Sequence, residues 1–377
     1  MGIYLDYAST TKMSERALAE YVRVASGYIG NPQGNHRFSR EALAELDSAR
    51  ERVATVLGVS PSEIYFTGSA TEANNIALNV EGGILTTAIE HKAVLAPAKL
   101  RKATVLAVSR DGSIDRDSLR KLLKESGDDL KIVSMMAVNN EIGVINPVEI
   151  LGGMVKKYTS AIFHSDAVQA ANFFDLKGLI VNCDLLTLSA HKFAGPKGVG
   201  ILFIREGVKV KPLMSGGAQE RDIRPGTSNL AGVVSASIAL EEASRRPHEN
   251  FKTVEALRNR FEDNVLSSDD RVIATVDRGS PRSPAISNLL FPGTINEEML
   301  FLLDSMGVGA SGGAACASGA LEPSHVILAL GYRPKIARSA LRFSFSIETS
   351  VEDVDEASQL VVQAYRRLAP RGGSLES

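Results

Sequence analysis

Apolar residues recur at helical spacing in two early stretches, 14–26 and 38–58. In the second, Ala42, Leu43, Leu46, Ala49, Val53 and Val56 mark one face, and Gly58 is placed to end the helix. Beyond it, short apolar runs alternate with helical ones. Ile64–Phe66 precedes a helix at 71–80, Gly83–Ala88 one at 91–101, Thr104–Val108 one at 115–125, and Lys131–Ala137 one at 148–158. Ala161–Ser165 and Leu185–Ser189 continue the series, and Gly200–Ile204 reads as a hairpin-like return. This alternation predicts an α/β fold with a mostly parallel seven-stranded sheet covered on both faces.

After Asn229 the pattern changes. Residues 230–245 read as one helix, and Arg245-Arg246-Pro247 marks a boundary. An amphipathic helix from 248 to about 265 then leads into shorter strands and helices. The expected organisation is a large domain over 14–246, a smaller α+β domain from 1–13 and 247–368, and an unpacked tail over 369–377.

Bulk composition narrows the function classes. Hydrophobic residues make up 44% and charged residues 23% of 377, ordinary values for a globular chain of one large or two domains. A net charge of −2 supplies no field for nucleic acid or an anionic membrane surface. No apolar run approaches the roughly 20 residues of a membrane span. The start, Met1-Gly-Ile-Tyr-Leu-Asp6, lacks the basic and apolar regions of a signal peptide. Two cysteines make no disulfide framework, so the expected location is the cytoplasm.

Candidate chemistry collects at strand ends, where open α/β sheets place their ligands. Ser189-Ala-His191-Lys192 follows an apolar run and precedes the glycine-rich Gly195–Gly200 stretch. An amine held there in a partly dry pocket can lose its proton and attack a carbonyl carbon. Ser189 and His191 lie two apart, which on an extended chain turns both to one side, suited to a phosphate. Phe66–Asn75 joins a strand to a helix whose start offers free N–H groups to an anion, while Ser69 and Glu72 also fit a capping box. Asp166 ends a strand. It is suited either to cap the next helix or to face a protonated ring nitrogen, and Gln169 can donate to a nearby oxygen. His91 is placed to begin a helix, to stack on an aromatic face or to move protons. Amine, phosphate donors, carboxylate and amide donor together describe a pyridoxal phosphate (PLP) site.

Two further residues suggest a second chemistry. Cys316 lies in Ser311-Gly-Gly-Ala-Ala-Cys316-Ala-Ser-Gly, a small-residue loop suited to an accessible nucleophilic thiol. Cys183, within an apolar run, reads as structural. Arg342 falls in a strand-like run, where its fork suits a carboxylate, the bland alternative being a surface ion pair.

In order and spacing these segments resemble the cysteine desulfurases, of the class V aminotransferase group of fold-type I PLP enzymes. The resemblance runs from Tyr4-Leu-Asp-Tyr-Ala-Ser-Thr-Thr11 and Gly30–His36, through Val138–Gly143 and His164–Gln169, to Gly216–Glu220, Arg224-Pro-Gly-Thr227 and Leu341–Ser344. The cysteine segment followed by Leu321-Glu-Pro-Ser324 resembles the subgroup with a longer, mobile loop. The resemblance implies that Lys192 holds PLP covalently, Asp166 pairs with its ring nitrogen and Gln169 meets its ring hydroxyl. Thr71, Ser189 and His191 would bind the phosphate near the Ala70 backbone, and His91 would stack on the ring and assist proton transfer. Asn140 and Arg342 would hold the substrate carboxylate region. Cys316 would take the sulfur of L-cysteine and pass it to an acceptor protein. Thr227 would reach the phosphate of the other subunit, which implies a homodimer.

Departures from the family pattern are Tyr7 and Ser9, where Asn and Ala are usual, and Gly312 and Ala314, where serines are common. The second pair bears on the choice of acceptor. Rival readings are a selenocysteine lyase or another class V enzyme such as an aminotransferase, which needs no loop cysteine, and a non-catalytic sulfur-transfer scaffold, which needs neither Lys192 nor Asp166.

Overall fold

The computed structural model describes residues 2–312 and 322–369. Its strands are β1 (Ile3–Tyr4), β2 (Ile64–Thr67), β3 (Gly83–Thr87), β4 (Thr104–Leu106), β5 (Leu130–Ser134), β6 (Ile162–Asp166), β7 (Leu185–Ser189), β8 (Gly200–Ile204), β9 (Ile273–Ala274), β10 (Ile286–Leu290), β11 (Val308–Gly309) and β12 (Ala340–Ser344). Among the described residues, seven of these form one sheet in the order β2-β8-β7-β6-β5-β3-β4. Only β8 runs antiparallel to its neighbours there. The hairpin-like return expected at Gly200 is therefore present. Strands β5, β6, β7 and β8 are almost wholly buried, as a sheet covered on both faces requires.

The helices that cover it are α1 (Glu15–Gly27), α2 (Arg37–Leu57), α3 (Ala70–Ala77), α4 (Lys92–Leu100), α5 (Arg116–Glu125), α6 (Val148–Tyr158), α7 (Leu176–Ile180) and α8 (Leu230–Ala243). Their ends follow local chemistry. Ser14 caps α1 by accepting from the Ala17 N–H, and α2 stops at Gly58, whose φ of +70° suits glycine. Helix α8 is apolar on every side, and it is buried where it packs against α1 and α2. The five-residue α7 is the element the sequence pattern did not predict, because it is too short to establish a period.

The remaining helices are α9 (Pro247–Ser268), α10 (Asn296–Ser305), α11 (His325–Ala329), α12 (Pro334–Ala337) and α13 (Val351–Leu368). Of these, α9, α10 and α13 enclose with β10 and β12 a second apolar core, in which the Phe261 and Phe343 ring centroids stand 4.7 Å apart, while α11 and α12 pack in a smaller cluster with Ile89 and Ile142. Ile3, Leu5 and Ala8 join this second core, while Ala17 and Val24 of α1 belong to the first. The chain between them, residues 6–11, crosses the C-terminal edge of the large sheet as a strap. Among the described residues, no helix is long and apolar enough to cross a membrane.

Candidate active site

The parallel strands β2, β3, β5, β6 and β7 all point their C-terminal ends to one side. A cavity of about 330 Å³ opens there. Ala70, Thr71, His91, Asn140, Asp166, Gln169, Ser189, His191, Lys192 and Arg342 all line it. The sequence expected each of these at one site, and the sheet topology brings them together.

Lys192 follows β7 in a single 3-10 turn, Ala190–Lys192. That turn corrects one step of the sequence argument: Ser189 and His191 do not lie on an extended chain, yet both still reach the cavity. The Lys192 Nζ donates to the carbonyl oxygens of Ala8 and Ser9 at 2.7 and 2.6 Å, both on the strap. Burial lowers its pKa to about 8, assisted by the Arg342 charge and opposed by Asp6 and Asp166.

Asp166 ends β6 at 4% exposure. Its Oδ2 accepts from Asn74 Nδ2 at 2.7 Å and its Oδ1 from the Val168 N–H at 3.0 Å. Both donors are neutral, so the carboxylate has no hydrogen-bonded cation among the described residues. Gln169 Nε2 donates to the Ala8 carbonyl at 2.9 Å.

At the β2–α3 junction Ser69 caps the helix, accepting from the Glu72 N–H at 3.2 Å. The expected capping box is not closed. The Glu72 carboxylate reaches the Gly68 N–H at 2.7 Å and Arg224 Nε at 2.8 Å, since a nearby guanidinium draws it away from the cap. The Ser69–Ala70–Thr71 turn faces the cavity beside Ser189 and His191. His191 Nδ1 lies 3.1 Å from Thr10 Oγ1. Burial and then the Lys192 and Lys197 charges push His191 down to about 4, so the ring is neutral near pH 7.

His91 begins a helix, as one of its sequence readings expected. It caps α4, with Nδ1 accepting from the Ala93 N–H at 3.0 Å, and its ring stands on the cavity wall. Its pKa is lowered first by desolvation, then pulled up by Asp166 and down by Lys192, Lys92 and Arg342.

Arg342 is no surface residue. It sits on β12 at 3% exposure. Nη1 donates to the Asn140 carbonyl at 2.7 Å, and Nη2 donates to Asp6 Oδ1 at 2.7 Å and Ser9 Oγ at 2.6 Å. Ser9 Oγ in turn donates to Asp6 Oδ1 at 2.9 Å. Ser9, one of the departures from the family pattern, therefore touches the arginine that sequence reasoning assigned to substrate.

One expected site residue that the structure describes is not brought to this cavity. Thr227 is exposed and does not line the cavity of its own chain. Cys316 lies outside the described residues. The other cysteine is buried, ahead of β7 rather than within it. Its Sγ donates to the Leu179 carbonyl, and burial pushes it up to about 12, which leaves it inert near neutral pH.

Sequence reasoning missed Asp6, Ser9, Asn74, Glu141 and His325. Asp6 bonds a residue 336 positions away, which no local pattern signals. Glu141 lies within the Val138–Gly143 segment and His325 directly after Ser324, and both line the cavity. One Glu141 oxygen is buried without a partner among the described residues, and burial raises this carboxyl to about 7.

The donor set fits PLP on two observations. A buried carboxylate held only by neutral donors is costly unless a cation meets it, and a protonated ring nitrogen is such a cation. The helix-start turn with Ser189 and His191 supplies neutral donors for a phosphate in the same cavity.

Comparison with known proteins gives concordant results. The family model described as aminotransferase class-V matches residues 3–357. A protein of Dictyoglomus turgidum named cysteine desulfurase IscS is 36% identical over 98% of this chain and 96% of its own. A Bacillus subtilis protein named putative cysteine desulfurase IscS 1 is also 36% identical, over 97% of this chain and 99% of its own. A solved structure titled NifS-like protein superposes with a TM-score of 0.89 at 34% identity, covering 98% of this chain and all of that one. Another, titled SspA in complex with cysteine, gives a TM-score of 0.77 at 28% identity over 91% of this chain.

Proposed function

This chain belongs to the aminotransferase class-V family, and from that premise we propose that it is a PLP-dependent cysteine desulfurase converting L-cysteine to L-alanine with transfer of the sulfur to Cys316. One observation carries the reading: a desolvated lysine amine and a buried carboxylate without a cationic partner share a single cavity. PLP, when bound, supplies an electron sink that stabilises negative charge at the substrate α-carbon.

Lys192 is the residue that holds the cofactor, and its lowered pKa supports the role because only the neutral amine is a nucleophile. Asp166, fixed in place by Asn74 and the Val168 N–H, would pair with the ring nitrogen. Gln169 keeps one amide hydrogen for the ring hydroxyl after bonding Ala8. Thr71, Ser189 and His191, with the Ala70 backbone, bind the phosphate. His91 would contact the cofactor and could donate from Nε2, since Nδ1 is engaged by the Ala93 N–H. Arg342 and Asn140 receive the substrate carboxylate.

In the net reaction the carbon–sulfur bond of L-cysteine breaks and a sulfur–sulfur bond forms on Cys316. The Cys316 thiol gives up its proton, and the β-carbon of alanine gains one. An acceptor protein then takes the sulfur. This thiol chemistry needs a reducing compartment, which supports a cytoplasmic location. Thr227 serves the phosphate of a second subunit. Its exposure, beside the exposed Leu213 and Met214 in the same loop region, supports a homodimer. The partition into domains at 246/247 also rests on proposal, supported by the separate apolar core that Ile3, Leu5 and residues after 254 share.

The test is quantification of alanine and sulfide from L-cysteine, with L-selenocysteine as competitor. The wild type is expected to produce alanine, and Cys316→Ala to retain PLP while forming no persulfide. Desulfuration by Cys316→Ala at the wild-type rate would remove Cys316 from the reaction. A stable, fully active monomer in light scattering would remove the dimer.

A further inference from the structure

Three histidines line the cavity, and their hydrogen bonds give them different chemistry. His91 spends its Nδ1 lone pair on the Ala93 N–H at 3.0 Å, so its neutral ring carries hydrogen on Nε2 and can only donate. His191 engages Nδ1 with the Thr10 hydroxyl at 3.1 Å. His325 is arranged the other way. Its Nε2 lies 3.0 Å from the carbonyl oxygen of Glu90. A carbonyl has no hydrogen to give, so Nε2 carries the proton and Nδ1 carries the lone pair. That nitrogen is left without a hydrogen-bond partner among the described residues.

The reaction has a matching requirement. For every L-cysteine consumed, one S–H bond of the attacking thiol breaks and one C–H bond forms at the β-carbon of alanine. The electron pair of the broken S–H bond stays on sulfur, and the electron pair of the broken carbon–sulfur bond is the one that ends in the new C–H bond. No oxidant or reductant is needed, only a group that accepts a proton and later returns it. A donor-only imidazole cannot begin that sequence, and an acceptor imidazole can.

We propose that His325 is a further catalytic residue of this site, accepting the thiol proton at Nδ1 and returning it to the β-carbon of the product. This rests on the desulfurase reading given above. Position supports it: His325 lines the cavity that holds Lys192, and the Glu90 carbonyl that orients it belongs to the residue preceding His91. The titratable and charged groups around it are His91 and Lys92, with the buried carboxyls of Glu90, whose carbonyl it meets, and of Glu141, beside Ser324. Burial, then the Lys92 and His91 charges, lower its pKa against the pull of the Glu90 carbonyl, so it enters the cycle neutral.

His325→Gln separates this role from a structural one. The glutamine amide keeps a donor near the Glu90 carbonyl but has no basic nitrogen. On PLP-loaded protein, kcat for alanine formation is expected to fall about a hundredfold or more, within the range for lost acid–base catalysis, with KM little changed. The acid limb of the kcat–pH profile, below the ordinary imidazole range, is expected to disappear. Wild-type kcat and an unchanged acid limb in His325→Gln would overturn the proposal.

A second measurement does not depend on desulfuration. In D2O the protein should exchange the methyl hydrogens of L-alanine for deuterium, read by NMR, while His325→Gln does not. Exchange of this kind with no desulfuration of L-cysteine would sink the desulfurase reading and leave the His325 assignment standing. Exchange that survives in His325→Gln, or is absent from the wild type, would sink the assignment. Long-range proton–nitrogen correlations give a third check: His325 should be protonated on Nε2 and bare on Nδ1, and the opposite tautomer would overturn the proposal.

Discussion

Arg342 Nη2 donates to Asp6 Oδ1 at 2.7 Å, joining the start of the N-terminal strap to a strand 336 positions later. The guanidinium is nearly inaccessible, and three protein acceptors orient its fork before any ligand arrives. Preorganisation of this kind lowers the entropic cost of binding a carboxylate.

Arg342→Lys keeps the charge but replaces a planar fork by a point donor that cannot reach Asn140, Asp6 and Ser9 together. KM for L-cysteine is expected to rise about thirtyfold or more, the equivalent of about 2 kcal/mol, with a smaller change in kcat. Steady-state kinetics check this, and an unchanged KM would place the substrate carboxylate elsewhere.

Lys192 titrates near 8 in the free protein, well below an ordinary lysine. The neutral, reactive fraction therefore grows as pH rises through about 8. Covalent capture of added PLP by the cofactor-free protein should accelerate roughly tenfold between one pH unit below that value and one above it. Stopped-flow absorbance reads the rate, and Lys192→Ala should show no covalent capture at any pH.

Glu90 is fully buried, and burial raises its carboxyl to about 8 despite hydrogen bonds from Thr87 Oγ1 and the Met136 N–H. The folded state thus holds its proton more tightly than the unfolded chain. Its contribution to stability is complete below the unfolded value of 4.5 and is lost as pH rises through about 8. Glu90→Gln cannot ionise, so its Tm relative to wild type should be higher at pH 9 than at pH 5. Thermal unfolding at the two values decides it, and an equal difference at both would contradict the buried-acid assignment.

Arg50 meets Glu220 through two bonds of 2.8 Å, and Glu220 also accepts from the Phe66 N–H at 3.0 Å. Glu220, Arg221 and Asp222 all adopt left-handed backbone, with φ of 46°, 52° and 65°. Three such residues in a row persist only where surrounding contacts hold them. Glu220→Ala leaves the Arg50 charge buried and unpaired, and a loss of about 3–5 kcal/mol in denaturant unfolding is expected. A loss below about 1 kcal/mol would mean that the turn is held by other contacts.

Much of this protein was legible before its structure. Helix α6 and strands β7 and β8 match the expected spans, because burial on both faces and clear turn residues leave a strong local signal. The gathering of the candidate residues in one cavity was legible too, since most of them lie at strand ends and a parallel sheet gathers strand ends on one side. Where local reasoning failed, a tertiary contact had intervened. Arg224 drew Glu72 out of its capping box, and a 3-10 turn replaced the extended chain assumed at Ser189–His191.

The linear chain determined the alternation of elements, the lysine, the carboxylate and the helix-start turn at Ser69, because each is written in residues close together. Only the tertiary structure decided which nitrogen of each histidine is available and what holds Arg342 in place. Those outcomes depend on single atoms brought within about 3 Å across hundreds of residues, as between His325 and Glu90 or Arg342 and Asp6, and periodicity carries no information at that range.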